Sequence, residues 1–266
     1  MTSYAITGAS KGIGREFVRQ LAANPANTVL AIVRDVTSSA ISELASKHAN
    51  IHLIAGDATE PNSILDAAKT ASIITGGKLD VLIHNSNAVD QNTMAFNPTQ
   101  FPFDVDAVQK TFDLPLRTAV YGGLWTTNAF LPLIEEGNEK KIIHISSGMA
   151  DLNVIKTTGV SYAVPYSVAK AGMNVQVAKY AAELAPKGVK ILALSPGWVD
   201  TWEGEKPPEV VVAVEAMLKQ FQKAVPELEG QIQVDESVRK QLKVIDQLTI
   251  EKSGSFLSHE GSEDWW

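Results

Sequence analysis

The sequence predicts an α/β protein, a doubly wound parallel sheet of about seven strands with helices on both faces. Three observations predict it. Short apolar runs alternate with longer helical patterns along the chain. The first run, Ser3 to Thr7, passes straight into the glycine-rich turn Gly8-Ala9-Ser10-Lys11-Gly12-Ile13-Gly14 and then into a helical pattern through Phe17, Val18 and Leu21. At 266 residues, 45% hydrophobic and 20% charged, the chain is long enough to bury a full core as one domain over 1–266.

Taken in order, the short apolar runs place strands at 3–7, 28–33, 51–54, 79–84, 140–146, 188–194 and about 254–257. Helical periodicity fills the intervals near 13–23, 38–48, 62–75, 117–135, 167–184 and 209–224. Crossovers between parallel strands are expected to be right-handed. Two segments break the rhythm. Residues 87–103 hold Asn, Gln, Pro and Phe without a period. Residues 198–250 begin with Trp198 and Trp202, pass Pro207-Pro208, and turn helical and charged. Irregular segments at strand C-terminal ends cover ligand sites in this architecture. A substrate-covering role is therefore expected near 198–250, with a peripheral structural excursion as the alternative for 226–250.

Bulk properties exclude several classes of function. A net charge of -7 argues against a nucleic-acid or anionic-membrane surface. With no cysteine there is no disulfide framework and no thiolate zinc site, in keeping with a cytoplasmic protein. The five His residues show no metal-ligand spacing, so no metal is expected. No apolar stretch is long enough to span a bilayer and no signal peptide is visible.

Two patterns carry chemistry. Strand, glycine turn and helix together form a phosphate cradle. The glycines let the backbone approach a diphosphate, and the helix start offers unpaired N–H groups and a positive dipole end. The spacing is Thr-Gly-x-x-x-Gly-x-Gly over Thr7, Gly8, Gly12 and Gly14. The second pattern is Tyr166-Ser167-Val168-Ala169-Lys170. A Tyr and a Lys four apart share one helix face. A nearby ammonium favours the phenolate and lowers the phenol pKa from about 10, preparing it for proton transfer.

These residues resemble the classical short-chain dehydrogenase/reductase family, in a match covering 3 to about 201. It includes Asp57 after the third strand, Asn85 after the fourth, Ser146-Ser147 after the fifth, and Pro196-Gly197 with Thr201. The tail from Gly254 to Trp265 is similar to the ending of C-factor-like and sniffer-like carbonyl reductases. The resemblance implies a Rossmann-type fold and a nicotinamide cofactor. It implies Tyr166 as general acid or base, with Lys170 lowering its pKa and holding the nicotinamide ribose. Ser147 would polarise the substrate carbonyl, with Ser146 as the competing choice. Cofactor contacts are expected from Gly8, Ser10, Lys11, Gly12, Ile13, Gly14, Asp57, Ala58, Asn85, Pro196, Gly197, Val199 and Thr201. His84 is expected to be structural. The family's further catalytic Asn aligns with Ala119, where a methyl group holds no water and Pro115, Leu116, Gly122 and Gly123 supply no polar substitute.

Charge argues the cofactor's identity. An NAD site places Asp or Glu after the second strand. Here Val33 is followed by Arg34, and Lys11 lies inside the glycine turn. Two cations favour a 2′-phosphate, hence NADP, with NADPH preferred over NADH. The expected pocket wall is Met149, Val160, Tyr162, Trp198 and Trp202, with Phe96 or Phe101. The expected function is NADPH-dependent reduction of a ketone or aldehyde on an apolar or aromatic molecule. Non-redox or imine-directed chemistry on the same scaffold, and a non-enzymatic NADP sensor, are the alternatives. The apolar helical segments 104–134 and 165–186 imply, by the resemblance, a homodimer or homotetramer.

Overall fold

In a computed structural model, which describes residues 1–89 and 93–265, the chain folds around a parallel sheet. Its strands are β1 (Ser3–Thr7), β2 (Thr28–Val33), β3 (Ile51–Ala55), β4 (Val81–His84), β5 (Lys141–Ile145), β6 (Lys190–Leu194) and β9 (Phe256–Leu257). They lie in the order β3-β2-β1-β4-β5-β6-β9. Every pairing is parallel, Ala5 opposite Leu30 and Leu82, and Ile143 opposite Leu192. The chain reverses its direction of travel between β1 and β4. That point opens a crevice at the strand C-terminal ends, where ligands bind in such sheets.

Helices cover both faces. They are α1 (Gly12–Ala22), α2 (Ser39–Lys47), α3 (Pro61–Thr75), α4 (Val105–Pro115), α5 (Gly122–Glu136), α6 (Leu152–Thr158), α7 (Val164–Leu184), α8 (Pro208–Phe221) and α9 (Val234–Asp246). One face buries Phe130, Ile134, Val177 and Leu184. The other buries Phe17, Val18, Leu21, Val238 and Ile245. Local chemistry sets several boundaries. Pro61 opens α3, and Gly76, left-handed at φ 64°, closes it. Asp104 caps α4 by accepting from the Ala107 N–H at 2.7 Å.

The expected helix over 117–135 is two pieces. Leu116–Tyr121 is a π-turn, and α5 begins only at Gly122. Pro115 lacks the N–H that a regular helix would use there, and Gly122 packs too closely on the Ala58 carbonyl to carry a side chain. The segment 198–250 also divides. Val199–Asp200 (β7) pairs with Ile232–Gln233 (β8) beside the main sheet. Helix α9 packs on α1 through Val238 and Ile245, so this part of 226–250 is core rather than cover. Of the irregular stretch 87–103, residues 90–92 lie outside the described residues.

Candidate active site

Two joined cavities open at the C-terminal ends of the strands. The first, about 530 Å³, is bounded by the glycine turn and the ends of β2, β3 and β4. Gly8, Ser10, Lys11, Gly12, Ile13, Arg34, Asp57, Ala58, Asn85, Thr201 and Trp202 line it. Gly8 and Gly12 take φ of 65° and 53°, a region L side chains rarely enter. Gly14 lies behind the turn. A Cβ there would collide with the Gly8 carbonyl oxygen and the Asn85 amide, so the glycine lets α1 close onto the strands. Asn85 Nδ2 donates to the Gly8 carbonyl at 3.1 Å and braces the turn. The Thr7 hydroxyl accepts from the Asn85 and Ser86 N–H groups at 3.1 and 3.2 Å.

The charge at this cavity is sorted by local hydrogen bonds. Arg34 and Lys11 line the wall, as do the carboxylates of Asp57 and Glu203, and Glu203 is paired with Arg15 at 3.0 Å. Asp35, next to Arg34, is turned onto its own loop: its Oδ1 accepts from the Thr37 N–H and hydroxyl at 2.8 and 2.6 Å, which holds its pKa below the usual carboxylate value. Asp57 Oδ1 likewise accepts from the Thr59 N–H and hydroxyl, so the residue caps a turn as well as lining the cleft.

The second cavity, about 390 Å³, shares Ile13, Asn87 and Thr201 with the first. Ser147 and Tyr166 face it, with Met149, Tyr162, Trp198, Pro196, Gly197 and Val199 around them. Ser146 does not. Its hydroxyl donates to Asn174 Oδ1 at 2.6 Å, inside the protein. The geometry thus puts the second serine, not the first, beside Tyr166. Helix α7 delivers Tyr166 and Lys170 one turn apart, as their spacing requires.

The electrostatics differ from the expectation for this pair. Lys170 Nζ donates to the Ile145 carbonyl at 2.6 Å and lies 5.9 Å from the Tyr166 ring centre. Burial pulls its pKa from 10.5 down to about 7, which weakens the charge that was expected to act on the phenol. Burial also raises the Tyr166 pKa, opposed by a hydrogen bond with Ser147. The side-chain bond to Ser147, rather than the ammonium, draws the phenol pKa down here.

Behind this site lies a second polar layer. His84 Nε2 stands 3.2 Å from the Thr118 carbonyl, which only accepts, so the proton is on Nε2. Its Nδ1 then accepts from the Thr7 hydroxyl at 3.3 Å. Burial, reinforced by Lys170, lowers the His84 pKa to about 4 and keeps the ring neutral. His84 therefore ties the end of β1, where the glycine turn begins, to the π-turn, a structural role. Ala119, in that turn, is 1% exposed and packs with Ala169 and Met173, so its methyl group fills an apolar contact instead of opening a space for solvent.

Three expected placements need correction. Val160 is buried away from the cavity. Trp202 lines the glycine cleft and not the second cavity, its indole N–H donating to the Glu205 carbonyl at 3.2 Å. Phe96 meets Phe101 edge-to-face and Phe101 packs on Phe112, and neither Phe96 nor Phe101 lines the second cavity. Pro196, Gly197 and Val199 line the second cavity beside Tyr166 and Thr201. The sequence reading missed Met94, Met217, Phe221, Ser258, His259 and Trp265, all of which line the second cavity. The amphipathic pattern of α8 was the available signal for Met217 and Phe221. Nothing local marks the tail residues.

No helix among the described residues is long and apolar enough to cross a membrane. No group of three or more potential metal ligands occurs among them.

Comparison with known proteins agrees with this geometry. The family model for short chain dehydrogenase matches residues 3–207. The chain is 42% identical to the short-chain dehydrogenase/reductase atnB of Arthrinium sp, over 100% of both chains. It is 39% identical to AacuF of Aspergillus aculeatus, named likewise, again over 100% of both. Among solved structures, the NADPH-bound carbonyl reductase from chicken fatty liver superposes with a TM-score of 0.78 at 27% identity, over 100% of this chain and 99% of that one. The carbonyl reductase Sniffer of D. melanogaster shares the fold, with a TM-score of 0.79 at 20% identity over 100% of both chains. The chain belongs to the short-chain dehydrogenase/reductase family of oxidoreductases.

Proposed function

We propose that the protein is an NADPH-dependent reductase of ketones or aldehydes on uncharged, apolar or aromatic molecules. The observation that carries the reading is that Ser147 and Tyr166 face a cavity joined to the glycine cleft through Ile13, Asn87 and Thr201. A cofactor fits the cleft by the chemistry of its wall: left-handed glycines without side chains, a helix start, and two cations. A reduced nicotinamide bound there would supply the hydride for the carbonyl carbon. Ser147 donates to the carbonyl oxygen as negative charge develops on it. Tyr166 gives that oxygen its proton, and the burial that raises its pKa keeps it protonated and ready to donate. Lys170, one turn from Tyr166 on α7, would hold the ribose and resupply the proton.

Lys11 and Arg34 support the preference for a 2′-phosphate, since Asp35 is held by Thr37 and does not line the cleft. The NADPH-bound chicken relative supports the same choice. No Lys, Arg, Asp or Glu lines the second cavity among the described residues, which favours an uncharged substrate over a sugar phosphate or carboxylate. We infer one functional domain over 1–266, acting in the cytoplasm as a homodimer or homotetramer. Exposed Val168 and Val175, seven apart on α7, support self-association. Sedimentation showing only monomer at micromolar concentration would oppose it.

The test is NADPH consumption with a panel of aromatic and aliphatic carbonyls, in the parent and in Tyr166→Phe. The variant is expected to bind NADPH normally and lose turnover. Retained turnover would show that another group supplies the proton. Tight NADPH binding with every carbonyl inert would favour a sensor. Ala119 is the observation that favours a second reading, isomerisation, cyclisation or imine-directed chemistry on the same scaffold.

A further inference from the structure

The substrate cavity has a wall that comes from the far end of the chain. Beyond β9 the backbone turns back on itself: Ser258 N–H donates to the Ser262 carbonyl and Gly261 N–H to the Ser258 carbonyl, both at 2.8 Å. Gly261 sits at φ 80°, as so tight a turn requires. The Ser262 hydroxyl donates to the Asp264 carbonyl at 3.0 Å. This folded tail delivers Trp265 to the cavity. Its indole packs on Phe256, with ring centres 4.4 Å apart and planes inclined by 45°. Its Cε3 lies 3.8 Å from where a Cβ of Gly148 would stand, so Trp265 rests on the residue next to Ser147.

Another part of the lining is also aromatic. Trp198 meets Phe221 edge-to-face, with centres 5.0 Å apart. Tyr162, Met94, Met149 and Met217 complete the lining, and their rings and thioethers are soft, polarisable partners for a flat ring. Resting on the reductase reading, we propose that Trp265 is the specificity-determining residue of this cavity. It selects substrates whose carbonyl is attached to a planar fused-ring system, by stacking that ring beside Ser147. A small acyclic ketone reaches Ser147 and Tyr166 without using the indole.

The experiment compares parent, Trp265→Ala and Trp265→Phe, all checked for unchanged melting temperature. The probes are naphthaldehyde as the fused-ring substrate and diacetyl as the acyclic one. Naphthol binding, read by fluorescence in the presence of NADP, needs no turnover. Trp265→Ala is expected to raise KM for naphthaldehyde and Kd for naphthol about tenfold, the equivalent of about 1.4 kcal/mol. Its kcat/KM for diacetyl should stay within about twofold, a ratio set by the same exponential relation. Trp265→Phe keeps a ring and is expected to recover most of the loss. Equal losses on both substrates, or unchanged naphthol affinity, would overturn the role of Trp265. If the parent reduces no carbonyl of the panel, the reductase reading fails, and the naphthol series still decides whether the indole is the ring-binding wall.

Discussion

The Lys170 ammonium donates to the Ile145 carbonyl at 2.6 Å, so the helix that carries Tyr166 is tied to the end of β5 through a buried cation. One side chain thus joins the helix bearing the proton donor to the strand that leads into Ser147. Burial makes this tie costly, because the Lys170 pKa is pulled down to about 7.

Replacing Lys170 with Met is therefore expected to abolish turnover while stabilising the protein. The unfolded lysine keeps its proton up to about pH 10.5, whereas the folded one loses it above about 7. Between these values the unfolded chain binds more protons, so the parent gains stability as pH rises through the window and bears the full cost at pH 7 and below. The lost bond to Ile145 offsets part of the gain, leaving a net stabilisation of about 2 kcal/mol near pH 7. Denaturant melts of both proteins at pH 7 and 9.5 check it. The gap should narrow at the higher pH, and a less stable variant at pH 7 would refute the argument.

Arg34→Ala and Lys11→Ala are each expected to weaken NADPH binding about tenfold, since a charge-assisted hydrogen bond contributes about 1.5–3 kcal/mol. NADH binding should change little. Titration calorimetry gives both dissociation constants. Equal affinity of the parent for the two cofactors would remove the charge argument.

His84 makes stability fall with acid. Unfolded, an imidazole binds its proton near pH 6.5; folded, His84 resists until about 4. The unfolded chain holds more protons between those values, so stability is full above about 6.5 and declines as pH drops toward 4, by about 3 kcal/mol at the lower end. His144, buried beside it with ring centres 5.2 Å away, shifts in the same direction. Unfolding free energies from pH 7.5 downward should slope less in His84→Asn than in the parent. Parallel curves would assign the acid sensitivity elsewhere.

Ala119→Asn introduces an amide into the apolar contact with Ala169 and Met173. A loss of about 1–3 kcal/mol is expected from overpacking and the buried polar group. Turnover per folded molecule should move by about tenfold at most. An inert parent with an active Ala119→Asn variant would instead mark a lost reductase and support the non-redox reading.

The sequence by itself determined what local spacing controls. The period of the apolar runs yields the strands, and Thr-Gly-x-x-x-Gly-x-Gly between strand and helix yields the cradle. A four-residue interval puts Tyr166 and Lys170 on one face of α7. Those relations depend on backbone geometry that repeats within a few residues. Tertiary structure decided what depends on neighbours far along the chain. Ser146 and Ser147 are adjacent, yet one bonds Asn174 inside the protein and the other faces the cavity. Trp198 and Trp202 lie in one irregular segment, where no period fixes side-chain direction, and they line different cavities. The Lys170 bond to Ile145 and the arrival of Trp265 beside Gly148 join residues distant in sequence. Such contacts exist only once the sheet is assembled, because burial and packing, rather than spacing, select the partner.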